Sequence, residues 1–204
     1  ALLGWNPGTE QEIFSMQELT EAFSLDRVSK SGARFQPEKA KWFNAQYMHH
    51  KSDAELAVLY QPILKAHGID VPDEVAGRVA GIMKERATFI GDLWDLTSFF
   101  FVAPTEYDEK QTRKYWKGDN PAILARLREV LATIDDFSLE NTERIVHAWI
   151  EENGYPMGQV MNTLRLALVG AGKGPGMYDV TSFLGKEETL RRIDSLIANL
   201  KPAE

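Results

Sequence analysis

A glycine-rich segment at residues 170–176 is the part of this sequence that most resembles a site for phosphate chemistry. It contains the Gly-Lys pair that a phosphate-binding P-loop requires, at Gly172-Lys173. The motif also needs a hydroxyl residue next and a glycine five positions earlier. Gly174 and Ala167 occupy those two positions, so the segment does not meet the requirement for a P-loop.

The same segment also fails as a dinucleotide-binding fingerprint. A fingerprint that starts at Gly170 is interrupted by Pro175, and the residues before it continue a helical pattern rather than a strand. Two interpretations stay open. The segment is a helix C-cap followed by a tight turn, or it lets bare backbone approach a ligand at the N-terminus of a helix beginning near Met177.

No combination of side chains in the sequence points to catalysis or to a metal site. The chain has no cysteine, and no serine lies in a Gly-x-Ser-x-Gly elbow. No His-Glu-x-x-His motif occurs, and no histidine pair has a plausible third ligand. The histidines are His49, His50, His67 and His147. We therefore predict no catalytic residue, no metal and no cofactor in this chain.

Helix signals dominate the elements that would position these residues. Ser15-x-x-Glu18 and Ser52-x-x-Glu55 are capping boxes, each followed by apolar residues at helical spacing. A further helix is predicted from Pro72 through Leu96, whereas the β-branched and aromatic stretch at residues 97–108 is the least helical of the chain. The fold class predicted is all-α, as two consecutive helical bundles with boundaries near residues 35 and 118.

Charge is distributed unevenly along the chain. The net charge of −7 argues against a general nucleic-acid binder and against binding to DNA. Residues 27–51 nevertheless hold six basic residues and one acid, and residues 110–128 hold the same numbers. Residues 129–152 hold seven acids and one base. Either this is ordinary surface clustering, or two basic patches face a polyanion from an otherwise acidic body.

The first residues predict that the chain is a soluble piece of a larger protein. Ala1-Leu2-Leu3-Gly4-Trp5 is apolar, whereas free termini are usually polar, so these side chains are expected to come from a core shared with a missing neighbour. No basic leader precedes an apolar run, and no apolar run approaches the roughly 20 residues that span a bilayer. We expect no signal peptide and no membrane partner.

Several segments, taken in order, resemble the C-terminal part of bacterial glutamyl-tRNA synthetases, which are class I aminoacyl-tRNA synthetases. The resemblance covers the whole chain. The segments are Leu2-Leu3-Gly4-Trp5, Phe23-Ser24-Leu25-Asp26-Arg27-Val28-Ser29, Phe35-Gln36-Pro37-Glu38-Lys39-Ala40-Lys41-Trp42-Phe43-Asn44, and Gly174-Pro175-Gly176 before Leu184-Gly185-Lys186-Glu187.

The resemblance implies a domain plan. Residues 1–35 would be the end of a tRNA stem-contact region, and residues 36–118 and 119–204 would be two helical anticodon-binding domains, or helical cages. The catalytic domain, which in this family uses ATP and magnesium to attach glutamate to tRNA(Glu), would lie upstream. The fragment alone would then be inactive, a cytoplasmic component of translation and a monomer.

The resemblance also implies RNA-contacting residues. Arg86 matches an arginine that reads the last anticodon base, and Arg165 matches a helix arginine of the second domain. Gly174 and Met177 match turn positions that contact bases, although the family often has threonine where Gly174 stands. The basic residues Lys30, Arg34, Lys39 and Lys41 would follow the phosphates of the tRNA stem.

Two other interpretations are kept. The chain could be a stand-alone helical protein-interaction module that docks through the acidic residues 129–152 and the apolar start. It could also be a glutaminyl-type or non-discriminating relative, against which the arginine at position 86 counts by resemblance.

Overall fold

The computed structural model describes residues 2–30 and 32–203, so Ala1 of the apolar start lies outside the described residues, as do Ser31 and Glu204. Ten α-helices cover most of these two ranges, which contain one isolated antiparallel bridge, Trp5–Val28, and no strand. This confirms the all-α class. The helices are α1 (Met16–Ala22), α2 (Pro37–His49), α3 (Asp53–Ala66), α4 (Asp73–Met83), α5 (Asp92–Phe101), α6 (Glu109–Tyr115), α7 (Asn120–Ala132), α8 (Leu139–Glu152), α9 (Met157–Val169) and α10 (Met177–Asn199). Helix α10 has a kink at Gly185, whose φ of 75° is not helical.

Both predicted capping boxes are present. At α1 the Ser15 hydroxyl accepts from the Glu18 amide at 3.2 Å, and the Glu18 carboxylate accepts from the Ser15 amide at 2.7 Å. Ser52 and Glu55 make the same pair of bonds at the start of α3. These reciprocal bonds satisfy amide groups that the first helical turn leaves without partners.

The prediction of one helix from residue 72 to residue 96 is wrong. Helix α4 ends at Met83, a 3-10 turn follows over Lys84–Arg86, and α5 begins at Asp92. The Asp92 carboxylate accepts from the amides of Thr88 and Phe89, each at 2.9 Å. Those bonds satisfy amides just before the first turn of a second helix. The apolar periodicity from residue 72 to residue 96 is therefore shared by two helices.

The prediction for residues 97–108 is wrong over its first part, because α5 continues through Phe101. Phe99 and Phe100 are buried, and the Phe100 ring packs on Phe183 with centroids 4.7 Å apart. Burial of these rings outweighs their weak preference for helix. Helix α6, which the sequence analysis did not identify, begins shortly afterwards at Glu109.

The chain divides into two compact units, residues 1–94 and residues 95–204. In the first unit, α3 and α4 form the main helix pair, with Leu56, Tyr60 and Val79 fully buried. Gly77 lies directly against the backbone carbonyl of Asp53, where there is no room for a side chain. Glycine at this position therefore sets how closely the two helices approach.

The N-terminal segment is packed within the first unit. Trp5 is 4 % exposed and contacts the rings of Phe14 and Phe23 at centroid distances of 6.3 and 5.6 Å. The Ser29 amide donates to the Gly4 carbonyl at 2.8 Å. The expectation that Trp5 needs a missing neighbour is wrong, because residues of this chain bury it, whereas Leu3 is 57 % exposed.

The second unit is built around α9, whose residues Leu164, Leu166 and Leu168 are buried, with α6, α7, α8 and α10 packed on it. Residues 95–118 belong to this unit. The Trp116 indole donates to the Leu200 carbonyl at 2.8 Å, and the Ala203 amide donates back to the Trp116 carbonyl at 2.8 Å. The division therefore falls within α5, whereas the boundary predicted from the sequence lies near residue 118.

Candidate nucleic-acid interface

The glycine-rich segment forms the turn between α9 and α10. Helix α9 ends at Gly170, which has a φ of 76°, the left-handed conformation that favours glycine. The Gly170 carbonyl accepts from the Asp108 amide at 2.8 Å, so the loop before α6 holds the start of the turn. Helix α10 begins at Met177. The C-cap and tight turn predicted from the sequence are both present.

Arg165 and Gly174 lie side by side at this turn. Arg165 is half-buried, about one helical turn before the end of α9. A Cβ atom placed on Gly174 would stand 2.9 Å from Nη1 of Arg165. The absence of a side chain at Gly174 therefore leaves the guanidinium room beside the turn backbone. Nη1 of Arg165 is buried, so a base edge would be contacted by the other donors of this half-buried planar group.

Met177 lies at the other end of the turn and is 4 % exposed. Its side chain is packed inward as the first residue of α10, so in this conformation its surface toward solvent is small. Tyr178 follows, and its ring packs near His147 at a centroid distance of 5.7 Å. Burial, reinforced by the charge of Glu143, raises the pKa of the Tyr178 hydroxyl, which stays protonated at neutral pH.

Arg86 belongs to the first unit, where it is the last residue of the 3-10 turn after α4, and it is exposed. The turn is held from both sides. Met83 is 2 % exposed beneath it, and the Lys84 ammonium donates to the Lys51 carbonyl at 3.0 Å. Glu85 lies 3.4 Å from Nδ1 of His49. Arg86 therefore projects from a backbone that is anchored by packing and by polar contacts.

The four predicted phosphate-contacting residues differ in their surroundings. Lys30 and Arg34 are exposed. Lys39 forms an ion pair with Glu12, and Lys41 lies 3.0 Å from Glu38. Arg34 and Lys39 also border a mostly apolar groove of about 450 Å³. The other residues lining the groove are Leu2, Leu3, Glu12, Phe14, Leu19, Phe35, Gln36, Ala40, Phe43 and Tyr47.

One buried charge that the sequence analysis missed stabilises the second unit near the turn. Arg192 is 2 % exposed; it donates to the carbonyls of Phe99 at 2.6 Å and Leu168 at 2.8 Å and to the Glu188 carboxylate at 2.7 Å. Hydrogen bonds from Arg191 and Arg192 hold the pKa of Glu188 down to about 2. The spacing of Glu188 and Arg192 was visible in the sequence, but such pairs are usually exposed.

Within residues 2–30 and 32–203 the structure brings together no group of three or more metal-binding side chains. The same part of the chain contains no helix that combines the length and the apolar character needed to cross a bilayer. The structure brings Arg165 and Gly174 together at one turn of the second unit, and Met177 begins the helix that follows this turn. This arrangement can contact a ligand through a guanidinium and through backbone, and it offers no nucleophile.

Comparison with known proteins defines the family. The model of the anticodon binding domain family matches residues 54–197, which include Arg86, Arg165 and the turn. The chain belongs to this family.

The proteins that this chain resembles along its length are glutamate–tRNA ligases. It is 55% identical over 201 residues to that of Phocaeicola vulgatus and 54% identical to that of Bacteroides fragilis, covering 98% of this chain and 40% of each relative. A crystal structure of a glutamate tRNA ligase from Elizabethkingia meningosepticum, in complex with its amino acid, is 42% identical with a TM-score of 0.92. That match also covers 98% of this chain and 40% of the other. The chain thus spans about two fifths of the length of these relatives.

Proposed function

We propose that this chain is the anticodon-reading part of a glutamate–tRNA ligase and that its RNA partner is tRNA(Glu). The observation that carries the proposal is the pairing of Arg165 with Gly174 at an anchored turn, inside the region that matches an anticodon binding domain. Sequence-specific RNA recognition commonly targets unstacked bases in loops, which guanidinium groups contact by hydrogen bonding and stacking. The half-buried Arg165, beside the half-buried backbone of Gly174, would provide both kinds of contact.

Each candidate residue then has a distinct role. Arg86 would read the last anticodon base from its anchored 3-10 turn, where the residue is exposed. Arg165 would read another anticodon base, with the backbone at Gly174 close to the same base. The burial of Met177 supports contact through its backbone or after a side-chain rearrangement, rather than by simple packing of a base on an exposed side chain.

The basic residues near the N-terminus would position the RNA. Lys30 and Arg34 are exposed, so they are accessible to the phosphates of the tRNA stem. Lys39 and Lys41 lie beside Glu12 and Glu38 and contribute a weaker field until those ion pairs open. Contacts of this kind fix the register of the RNA, whereas Arg86 and Arg165 distinguish its sequence.

The remainder of the proposal concerns the whole ligase. Because this chain spans about 40% of the relatives' length, the ATP-dependent and magnesium-dependent attachment of glutamate is assigned to the part of the protein outside it. We expect the ligase to work in the cytoplasm with translation, and this chain to be a monomer with no affinity for DNA. Purified on its own, it is expected to form no glutamyl-tRNA from ATP, glutamate and tRNA(Glu).

A direct test is the binding of a fluorescent tRNA(Glu) transcript to the 204-residue chain at several salt concentrations. The expected result is weak, saturable binding that loses affinity as salt rises, because phosphate contacts release counterions. A transcript with an unrelated anticodon serves as the matched competitor and should displace tRNA(Glu) poorly. Equal competition by both transcripts, or an affinity that ignores salt, would contradict the proposal.

The alternative of a protein-interaction module is supported by one feature, the groove bordered by Leu3 and Phe35, which are 57 % and 64 % exposed. Arg86→Ala separates the two functions, since residue 86 does not line this groove. Loss of tRNA binding with an unchanged thermal midpoint favours the tRNA-reading function. Unchanged tRNA binding favours the interaction module.

A further inference from the structure

Helix α6 presents three basic side chains on one face. Lys110, Arg113 and Lys114 stand at positions i, i+3 and i+4, which share a face of an α-helix. All three are exposed. We call these three residues the α6 basic face. None of them was assigned a role in the proposed function above.

The neighbouring face of α6 holds the turn between α9 and α10. The Gln111 side chain lies directly against Gly172, so a side chain at position 172 would require Gln111 to move. One residue before α6, the Asp108 amide donates to the Gly170 carbonyl at 2.8 Å. The α6 basic face is therefore adjacent to the turn that carries Gly174, and the exposed Lys173 lies on the turn itself.

Three acidic residues, Glu106, Asp108 and Glu109, precede these cations in the sequence and offset their formal charge, but two of the three have partners of their own. The Asp108 carboxylate caps α6 by accepting from the Gln111 amide at 2.8 Å. Glu109 pairs with Arg113 at 3.2 Å, but both side chains are highly exposed, and such pairs contribute little and exchange readily with another anion. Lys114 extends over the Tyr115 ring, 4.9 Å from its centroid, which orients the ammonium at the surface.

We infer that the α6 basic face binds phosphate groups of the RNA strand whose bases reach the turn. The inference rests on the proposed function and extends it by assigning a binding surface in the second unit. An unstacked loop exposes its backbone beside its bases, so a strand with a base at Arg165 and Gly174 places its phosphates within reach of the neighbouring helix. A basic strip beside a base-reading site is the arrangement that electrostatic binding of a single strand requires.

The test compares two triple variants of the full chain that change net charge equally. Lys110→Gln/Arg113→Gln/Lys114→Gln removes the α6 basic face, and Lys65→Gln/Arg144→Gln/Lys186→Gln removes three cations from other helices. Each is titrated with a tRNA(Glu) transcript at five salt concentrations. Thermal midpoints check folding; if the α6 triple variant is destabilised, Lys114→Gln alone provides the measurement.

The expected result is a loss of at least about tenfold in affinity for the α6 triple variant at low salt. Each single-strand phosphate contact contributes roughly 0.7 to the slope of log affinity against log salt. The slope should therefore become shallower by about 2 for the triple variant and by about 0.7 for Lys114→Gln. The loss should be equal for a transcript with a changed anticodon, because phosphate contacts carry no sequence information. The control variant should keep the wild-type slope.

Equal slopes and affinities for the α6 variant and the wild-type chain would overturn this inference. Failure of the proposed function gives a different result, in which the wild-type chain does not distinguish tRNA(Glu) from the transcript with the changed anticodon. If the wild-type chain distinguishes them and Arg165→Ala reduces the difference, the proposed function stands. The slope of the α6 variant then decides the inference alone.

Discussion

Arg165 and Gly174 occupy adjacent space, and their proximity gives a physical reason for glycine at position 174. A Cβ atom there would press on the end of the guanidinium rather than on backbone. The end of a flexible side chain yields at low cost, so the constraint concerns where the guanidinium lies more than whether the turn folds.

The first prediction concerns this pair. Gly174→Ala should lower affinity for tRNA(Glu) about threefold to tenfold, because the added methyl displaces the Arg165 guanidinium, while the thermal midpoint changes little. The measurement is a double-mutant cycle with Arg165→Ala, by the tRNA titration described above. In the Arg165→Ala background the same substitution should have no further effect. Additive losses from the two substitutions would contradict a role that acts through Arg165.

Residue-scale features divide into those that sequence could indicate and those that it could not. The spacing of Ser15 and Glu18 indicates a capping box, because the hydrogen-bonding partners are three residues apart. The position of Arg86 came from a family resemblance, since an arginine on a helical turn is ordinarily just exposed. The contact between Gly174 and Arg165 requires the path of a whole turn, which no local pattern contains.

The sequence predicts a helix correctly where the signal lies in neighbouring residues, and it fails where packing against distant residues determines the secondary structure. Phe99 and Phe100 have side chains typical of strands, yet they lie in α5 because Phe183 and the second unit bury them. The apolar spacing from Pro72 to Leu96 continues across a break, because the Asp92 carboxylate begins a new helix. Periodicity identifies an apolar face but does not show that one helix supplies it.

The buried guanidinium of Arg192 connects helix α10 to α5 and α9. The stability of the folded chain depends on pH through the carboxylate that pairs with this guanidinium. Arg192 bonds to the carbonyls of Phe99 and Leu168, and Glu188 supplies the anion that balances it. The pKa of Glu188 is held at about 2 in the folded chain, against 4.5 as the ordinary value. A carboxyl group whose pKa is lower in the folded chain than in the unfolded chain stabilises the folded state at pH values above the unfolded pKa. This stabilisation is lost as the pH falls through the folded pKa.

The second prediction follows from that sign. Glu188→Gln should destabilise the second unit by roughly 3 kcal/mol or less at pH 7, because it removes the anion beside a buried guanidinium. The difference from wild type should shrink as pH falls from about 4.5 toward 2, where the wild-type carboxylate also becomes neutral. Urea denaturation of both chains across this range measures it. A difference that stays constant with pH would contradict the assignment.

At the scale of the whole molecule, the chain is two compact units divided at residues 94 and 95. The sequence favours a boundary near residue 118, because glycine, aspartate, asparagine and proline cluster there as they do in linkers. The structure instead connects residues 95–118 to the second unit through Trp116 and through the carbonyl of Phe99. Composition marks a turn at residue 118, but hydrogen bonds and burial define the unit.

The third prediction tests that division. A fragment of residues 92–204, starting at α5, should unfold cooperatively in a thermal melt. A fragment of residues 119–204 should not, because it lacks the partners of Arg192 and Leu200 and the support of Asp108 for the turn. Circular dichroism during heating distinguishes them. Cooperative unfolding of the shorter fragment at the same midpoint would place the boundary at residue 118 after all.

Whether this chain distinguishes RNA by its anticodon can be measured with one thermodynamic cycle. Affinities are measured for the wild-type chain and Arg86→Ala, each with tRNA(Glu) and with a transcript changed only at the last anticodon base. We predict that the wild-type chain prefers the native base by about tenfold or more and that Arg86→Ala binds the two transcripts equally, a coupling of about 1–3 kcal/mol by analogy with good base contacts. If Arg86→Ala keeps the full preference, or the wild-type chain has none, the account is contradicted.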